Sequence, residues 1–364
     1  MKKIINFILI ICFAVSCQTK EQKSDNGEII DAKQTGSEKH SIANIVDSYY
    51  IIALETNKQC LIKNIDKICF DKDRIFVMDR GGNNKILIFN KTGEFIGTAG
   101  GVGYGPGEYA ELSDFCIDRK SREIFLLCQR NKIMRYDYTG QFLESYSLDF
   151  FADKMEYSNQ HFYFTGYQPD FFNLIVTDNH FKIKHKDFPN ADFGKNHRIL
   201  VHPLNVADSK IQYMRFMDNK IYSVSENKVN CEYAFDFGGS GIPFEAIGGL
   251  GNDGLKEKMS KSRCQVKYFT QNGDYAVSYY FDKGKPVINI YNKRLRTATN
   301  KFLLNIYDED FDNYPFLFEY VDDNDDFVAI LLPEELVQKT TQYIKNMNLT
   351  DDMNPLLYVA KTKH

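Results

Sequence analysis

The chain has 364 residues and a formal net charge of −4, from 45 basic and 49 acidic side chains. The two signs are interleaved along the sequence, which excludes the one-sided basic field of a nucleic-acid-binding protein. After the N-terminal segment, no apolar run reaches the roughly 18 residues that a membrane-spanning helix requires. We therefore expect a globular body that lies outside the membrane.

The N-terminus has the features of an export signal in their usual order. Lys2 and Lys3 are followed by an apolar run at residues 4–15. As a helix this run would rise only about 18 Å, against about 30 Å of hydrocarbon in a bilayer. The pattern predicts a cleaved signal peptide rather than a membrane span.

The signal ends at a cysteine. The four residues up to Cys17 resemble a bacterial lipobox, in which the cysteine is lipidated and becomes the mature N-terminus, although Ala14 stands where leucine is usual. We predict a lipoprotein signal at 1–17 with Cys17 as the lipid attachment site. The alternative is ordinary signal peptidase cleavage. Residues 18–40 are polar and predict a flexible tether, since they carry too little apolar surface to fold.

An internal repeat defines the fold. Residues 85–97 (KILIFNKTGEFIG) and 132–144 (KIMRYDYTGQFLE) match at an offset of 47, and the same offset relates Cys69 to Cys116. A period in the forties made of strands and turns is typical of a β-propeller with one four-stranded blade per repeat. Cysteines at equivalent strand positions indicate a packing site that is filled twice, so buried free thiols are expected.

The remaining chain, residues 41–364, is long enough for six blades of roughly 50 residues. We predict an all-β, six-bladed propeller with antiparallel blades, one short helix near the C-terminus and a ring closed by an N-terminal strand at 49–54. That strand should pair with the last strand, near 356–361, because an open ring would expose two sheet edges. The predicted blades are 62–99, 113–147, 152–190, 198–240, 262–306 and 314–360. Helices are expected at 254–263 and 333–347.

The sequence resembles the six-bladed β-propeller lipoproteins of Bacteroidota, which are related in architecture to NHL-repeat propellers. The residues that carry the resemblance are 54–56, 75–79, 85–95, 103–109 and 352–356. It covers the first third of the chain closely and the rest in outline. It implies a cell-envelope location at the outer membrane, facing the periplasm or the cell surface, and it implies no established activity.

The richest loop for a binding site is GGVGYGPGEY at 100–109. A phosphate loop would need a helix after it, and a strand follows here, so nucleotide binding is not expected. Tyr104, Glu108 and Tyr109 are the candidate ligand-binding residues. The alternative is structural, with the glycines shaping a blade-to-blade crossover and Glu108 tying the loop backbone together.

Other polar clusters point to no metal or cofactor. The acidic run at 322–326 lacks the glycine and glutamate of an EF-hand loop and reads as a hairpin turn. His197 and His202 could share a loop, but no histidine or cysteine pair has zinc spacing. No catalytic residues are predicted, because no nucleophile motif occurs and carboxylate separations across a ring are invisible in sequence.

The sequence favours a lipid-anchored propeller that binds a glycan, a peptide or an envelope protein on one ring face, as an accessory to glycan or nutrient uptake. Membrane contact would be through the lipid alone. One alternative is an envelope enzyme, a glycan hydrolase or lyase with its site at the channel mouth. Another is a subunit of an outer-membrane assembly.

Overall fold

The computed structural model describes residues 27–166, 172–189, 202–207, 210–248, 250–312 and 314–364. Three strands precede the first blade, namely Glu28–Asp31 (β1), His40–Ser41 (β2) and Val46–Ala53 (β3). The first three blades follow in chain order. Blade 1 contains Lys67–Asp71 (β4), Arg74–Asp79 (β5), Lys85–Phe89 (β6) and Phe95–Ala99 (β7). Blade 2 contains Leu112–Asp118 (β8), Glu123–Cys128 (β9), Lys132–Asp137 (β10) and Phe142–Ser147 (β11). Blade 3 contains Lys154–Ser158 (β12), His161–Thr165 (β13), Phe172–Asp178 (β14) and Ile183–Pro189 (β15).

The other three blades complete the ring. Blade 4 contains Leu204–Ala207 (β16), Lys210–Met214 (β17), Lys220–Ser225 (β18) and Lys228–Asp236 (β19). Blade 5 contains Arg263–Gln271 (β20), Tyr275–Asp282 (β21), Lys285–Asn292 (β22) and Thr297–Phe302 (β23). After Ile306–Tyr307 (β24), blade 6 is formed by Phe318–Val321 (β25), Phe327–Leu331 (β26), Leu356–Thr362 (β27) and β3. The predicted six-bladed, four-stranded antiparallel propeller is confirmed.

Apolar residues of each blade alternate between two interfaces. Phe76 and Met78 of β5 pack towards blade 2, whereas Ile75 and Val77 of the same strand pack towards blade 6. Successive side chains of a strand point to opposite faces of its sheet, so a blade held between two neighbours must be apolar on both faces. The core is therefore a series of layers between blades.

Val46–Ala53 occupies the outer position of blade 6. It pairs antiparallel with the last strand, with Ala53 opposite Leu356 and Ser48 opposite Lys361. A repeated glycine shows its equivalence to the outer strands of other blades. A Cβ atom at Gly93 would lie 2.1 Å from the Ala53 carbonyl oxygen, and one at Gly140 would lie 2.0 Å from that of Thr98 in β7. Both glycines have φ near +90°, so the glycine in each repeat copy is explained by its turn and by contact with the preceding blade.

The segment before β3, here called the strap (residues 28–41), runs along the rim of the propeller. β1 pairs in parallel with β19, and the side chain of Ile30 in β1 is fully buried. Gly36 then bridges to Lys301, and β2 pairs with β24. The composition of 18–40 predicted a flexible tether. The structure instead places residues 28–40 on the rim, because two apolar side chains, those of Ile30 and Ala32, are enough to anchor an extended segment that borrows hydrogen bonds from sheet edges.

The helices differ from the prediction in one respect. Helix Asn252–Lys261 (α1) agrees with the one expected at 254–263, but the helix expected at 333–347 consists of two pieces, Pro333–Leu336 (α2) and Gln342–Asn346 (α3). The side chain of Thr341 accepts the Ile344 N–H and so caps a new helix. In the described part of the chain, no helix has the length and apolar character needed to cross a membrane.

Candidate functional site in the axial channel

The inner strand of each blade contributes to the channel on the propeller axis. Two positions before the turn that ends each inner strand lie Cys69, Cys116, Glu156, Asn205, Thr270 and Tyr320. All of these except Cys116 line a cavity of about 70 Å³, together with residues such as Lys67, His202 and Glu319. Blade 2 contributes Ile117 and Arg119 instead, so the cavity is lined by residues from all six blades.

Two ring faces follow from the strand directions. Each inner strand starts at the face that carries the blade-to-blade connections, such as residues 100–111, which we call the crossover face. It ends at the face that carries the inner hairpin turns, such as 72–73 and 322–326, which we call the turn face.

Towards the crossover face, a buried ionic cluster joins three blades. The Lys67 ammonium lies 2.5 Å from Glu156 Oε1 and 3.4 Å from Asp114 Oδ2, and it donates to the Met155 carbonyl at 3.0 Å. Asp114 Oδ2 also accepts the Met155 N–H at 2.8 Å. Burial by itself lowers the pKa of Lys67, but the two carboxylates outweigh it and hold the pKa well above its usual range. Lys67 is therefore charged and pairs with one carboxylate from each of two neighbouring blades.

His202 sits beside this cluster, packed between two tyrosine rings. Its ring centroid is 5.4 Å from those of Tyr268 and Tyr320, and its Nε2 is 3.4 Å from the Tyr320 hydroxyl. Burial, together with the charges of Lys154 and Lys67, lowers the pKa of His202 to about 3. His202 is thus a neutral wall of the channel. Its predicted partner His197 lies outside the described residues.

Glu319 differs from Glu156, the other acidic residue that lines the cavity, in having no ion pair. It comes from the inner strand of blade 6, and burial raises the pKa of its carboxyl to about 7, with Lys267 opposing the shift. No hydrogen bond or ion pair joins this carboxyl to any residue that the structure describes. An acid that is desolvated and unpaired inside a cavity is typical of a functional site.

The cavity opens on the turn face. It shares Arg119 and Val206 with a wider depression of about 650 Å³, here called the mouth. The mouth is lined by Asp71, Lys72, Arg119, Lys120, Arg122, Val206, Asp322 and Asp323.

The acidic side chains of the mouth are engaged in holding the fold. Asp71 accepts the Tyr138 hydroxyl at 2.9 Å, and Asp323 pairs with Lys91. Asp322 accepts backbone N–H groups within the hairpin turn at 322–326, as the sequence predicted for that run.

Most basic side chains of the mouth, unlike the acidic ones, are not used to hold the fold. Arg122 pairs with Asp73, but within the described residues no carboxylate lies within 4 Å of Lys72, Arg119 or Lys120. Arg119 uses its Nε–H to donate to the Phe70 carbonyl, which fixes the guanidinium at the junction of mouth and cavity. The mouth therefore offers unpaired positive charge.

The residues predicted as ligand contacts lie on the crossover face. Tyr104 is 98% exposed, whereas Tyr109 is 1% exposed and donates its hydroxyl to the Asn84 carbonyl. Glu108 Oε2 accepts the Gly105 N–H at 2.8 Å, and a Cβ at Gly103 would lie 2.0 Å from the same oxygen. The structure does not bring these residues to the channel, and the contact of Glu108 is that of the structural alternative. Cys17 lies outside the described residues.

These features define a six-bladed β-propeller with a channel cavity that is blocked by salt bridges on one side and open on the other. The chain belongs to the family described as "Domain of unknown function (DUF4934)", whose model matches residues 27–361. No curated protein sequence matches the chain.

Solved structures agree with the fold. A presumed exported protein from Bacteroides fragilis is 20% identical, with a TM-score of 0.77 over 92% of this chain and 100% of its own. The WD40 repeats of RRP9 are more distant, at 10% identity and a TM-score of 0.46 over 90% and 100% of the two chains. The Bacteroides structure supports the propeller architecture that the sequence resemblance implied; the lipoprotein and NHL-like features stay predictions.

Sequence reasoning missed the channel residues, although one signal was available. The offset of 47 relates Lys67 to Asp114, so opposite charges occupy equivalent buried positions near the starts of two inner strands. Charged residues that interrupt buried strands at matching positions are expected to meet on the propeller axis. Glu319 and Arg119 gave no comparable signal.

Removing the central cation should destabilise the fold strongly. We expect Lys67→Met to lower the free energy of unfolding by about 3–5 kcal/mol, because two buried carboxylates lose their counter-charge. Lys72→Met, at an exposed lysine of the same blade, should change it by less than about 0.5 kcal/mol. Urea denaturation measures both values.

The loss of stability in Lys67→Met should depend on pH. Burial already raises the pKa of Glu156, and Lys67 opposes that shift. Without Lys67 the folded variant holds protons that the unfolded chain has lost, so its stability falls as pH rises above about 4.5. The deficit should be smaller at pH 5 than at pH 8. A deficit that is the same at both values would contradict the charge argument.

Glu108 distinguishes the two interpretations of the crossover loop. Glu108→Ala removes the acceptor for the Gly105 N–H and should cost about 0.5–1.5 kcal/mol of stability. Glu108→Gln keeps an amide oxygen and should cost less. Thermal unfolding is measured together with the affinity for any ligand that screening identifies, whether or not that ligand binds in the channel. Lost affinity with unchanged stability would establish the loop as the binding surface that the sequence predicted.

Proposed function

We propose that the protein is an exported, lipid-anchored propeller of the cell envelope that binds a ligand in its axial channel. The observation that carries the proposal is the cavity to which all six inner strands contribute, continuous with the mouth on the turn face. Loops and strand ends that converge from every blade can recognise a ligand from several sides.

The arrangement of charges favours binding over catalysis. Lys67, Asp114 and Glu156 are paired with one another and hold three blades together, so they are poorly placed to exchange protons with a substrate. The groups left for a ligand are Glu319 inside the cavity and the cations of the mouth. A glycan, a peptide or a segment of an envelope protein could supply the matching polar groups.

The envelope location is supported by the signal features that end at Cys17 and by the presumed export of the Bacteroides fragilis protein of similar fold. Nine residues, 18–26, would separate a lipidated Cys17 from the first described residue. Fully extended they would span about 32 Å at most. The anchor would therefore hold the rim of blade 4, where β1 lies, near the membrane surface.

The second candidate is an envelope enzyme, a hydrolase or lyase acting on glycans. The observation that favours it is Glu319, since a carboxyl with a pKa of about 7 is suited to general acid–base work at neutral pH. Arg119 at the same cavity would then stabilise negative charge on the substrate.

The channel site can be tested by filling it. Thr270 is buried and lines the cavity from blade 5. Thr270→Met should abolish binding of any channel ligand found by thermal-shift screening of glycans and peptides. Thr297→Met, at an exposed position of the outer strand of the same blade, should leave binding unchanged. Equal binding by both variants would rule out the channel. Turnover of a screened glycan that is lost in Glu319→Gln would establish the enzyme instead.

The anchor can be tested separately. In cells fed a fatty-acid analogue, the wild-type protein should take up label and sediment with membranes. Cys17→Ala should lose both properties, because the thiol that carries the lipid is gone. Equal labelling of the two proteins would show that the lipid is absent or attached elsewhere.

A further inference from the structure

Glu319 sets the first requirement on a channel ligand. Its carboxyl faces a cavity whose walls include Asn205, Thr270 and Tyr320, and no described residue forms a hydrogen bond or ion pair with it. A partly buried carboxylate without a partner is costly, and a ligand that donates hydrogen bonds or carries positive charge would offset that cost. The inner end of the ligand should therefore be a donor, and an ammonium group suits it best.

The mouth sets the opposite requirement. Lys72, Arg119 and Lys120 surround the path to the cavity without carboxylate partners among the described residues, while Asp71 and Asp323 are held by Tyr138 and Lys91. The lining of the mouth has four basic and three acidic side chains, so a ligand with only positive charge would gain little from the mouth. A ligand that leaves an anionic group beside Arg119 would be attracted, because a guanidinium binds a carboxylate with two parallel hydrogen bonds.

We infer that the channel binds a zwitterionic ligand of the amino-acid or short-peptide type, with its ammonium group at Glu319 and its carboxylate at Arg119. This inference rests on the proposed function and specifies the class of ligand. Both residues line the same cavity of about 70 Å³, which accommodates one small group and no large side chain. The main chain between the two charged groups would run from Glu319 to Arg119, where the cavity meets the mouth.

The composition of the mouth favours a peptide over a glycan. Sugar rings commonly stack on exposed aromatic faces, and none of the residues that line the mouth is aromatic. An acidic glycan would satisfy Arg119 but would offer no cation to Glu319. A neutral glycan could exchange hydroxyl hydrogen bonds with both groups but would bring no opposite charge to either.

The pH dependence of ligand affinity, which follows the ionisation of Glu319, gives an independent test. Glu319 must be ionised to pair with an ammonium group, and burial raises its pKa to about 7. The neighbouring charged and titratable groups are Lys267 and Tyr268 of β20, Tyr320 of β25, His202, and the paired Lys67 and Glu156. Of these, Lys267 lowers the pKa of Glu319, and His202 stays neutral above about pH 3. Affinity for an amine should therefore rise about fivefold from pH 6 to pH 7, as the ionised fraction grows.

Triglycine and its two blocked forms provide the experiment. Isothermal titration at pH 7 should show binding of triglycine and at least tenfold weaker binding of N-acetyl-triglycine and of triglycine amide, since each lacks one charge. Glu319→Gln should weaken triglycine binding at least tenfold and abolish its pH dependence. Arg119→Gln should weaken it to a similar degree. Glu309→Gln, which neutralises an exposed acid elsewhere, should have no effect.

Several outcomes would overturn the inference. They are failure of triglycine to bind at 10 mM, equal binding of the blocked forms, or binding that does not change in Glu319→Gln. Trigalacturonate and trigalactose are titrated in parallel. If either binds to the wild type but not to Thr270→Met while triglycine does not bind, the channel function holds and the zwitterionic ligand is wrong. If every probe that binds does so equally in Thr270→Met, the proposed function itself fails.

Discussion

The structure depends on one constraint, which is that every blade is a sheet with two apolar faces. Ile75 and Phe76 are neighbours in β5, yet they belong to cores on opposite sides of the blade. Such a sheet is stable only between two others, so the six blades must form a closed ring. The pairing of β3 with β27 supplies the outer strand that blade 6 lacks, and Gly93 packs against β3 as Gly140 packs against β7.

Ring closure brings the inner strands together and concentrates polar side chains on the axis. Near the crossover face Lys67 is paired with two carboxylates, and His202 is held neutral beside them. Towards the turn face the compensation is incomplete, since Glu319 and Arg119 have no charged partner within 4 Å in the described part of the chain. Buried or confined charges without partners are costly to keep, which is why this end of the channel is the better place to look for a ligand.

The strap and the mouth of the channel lie on different parts of the surface. Residues 28–41 follow the outer strands of blades 4 and 5 and reach β24, so their contacts lie on the rim. A tether that reaches the ring at its rim would leave the mouth accessible to ligands. Tyr104 is 98% exposed in the loop at 100–109, which contributes no residue to the mouth or the cavity.

The sequence by itself determined the number, size and strand order of the blades. Hydrophobic alternation and turn chemistry are local, and the 47-residue offset placed β6 and β10 within a residue of their observed bounds. It failed where local signals compete with long-range contacts. Ile30 looked like part of a polar tether because the sheet edge that buries it lies about 200 residues away, at β19. The binding role of the loop at 103–109 stays a prediction; the structure buries Tyr109 and pairs Glu108 with the Gly105 N–H. Only the tertiary structure could identify the channel, because Lys67, Arg119, Glu156 and Glu319 come from four blades. The 47-residue offset relates Lys67 to Asp114 only, and the distances of Lys67 from Glu156 and of Arg119 from the cavity depend on how the ring closes.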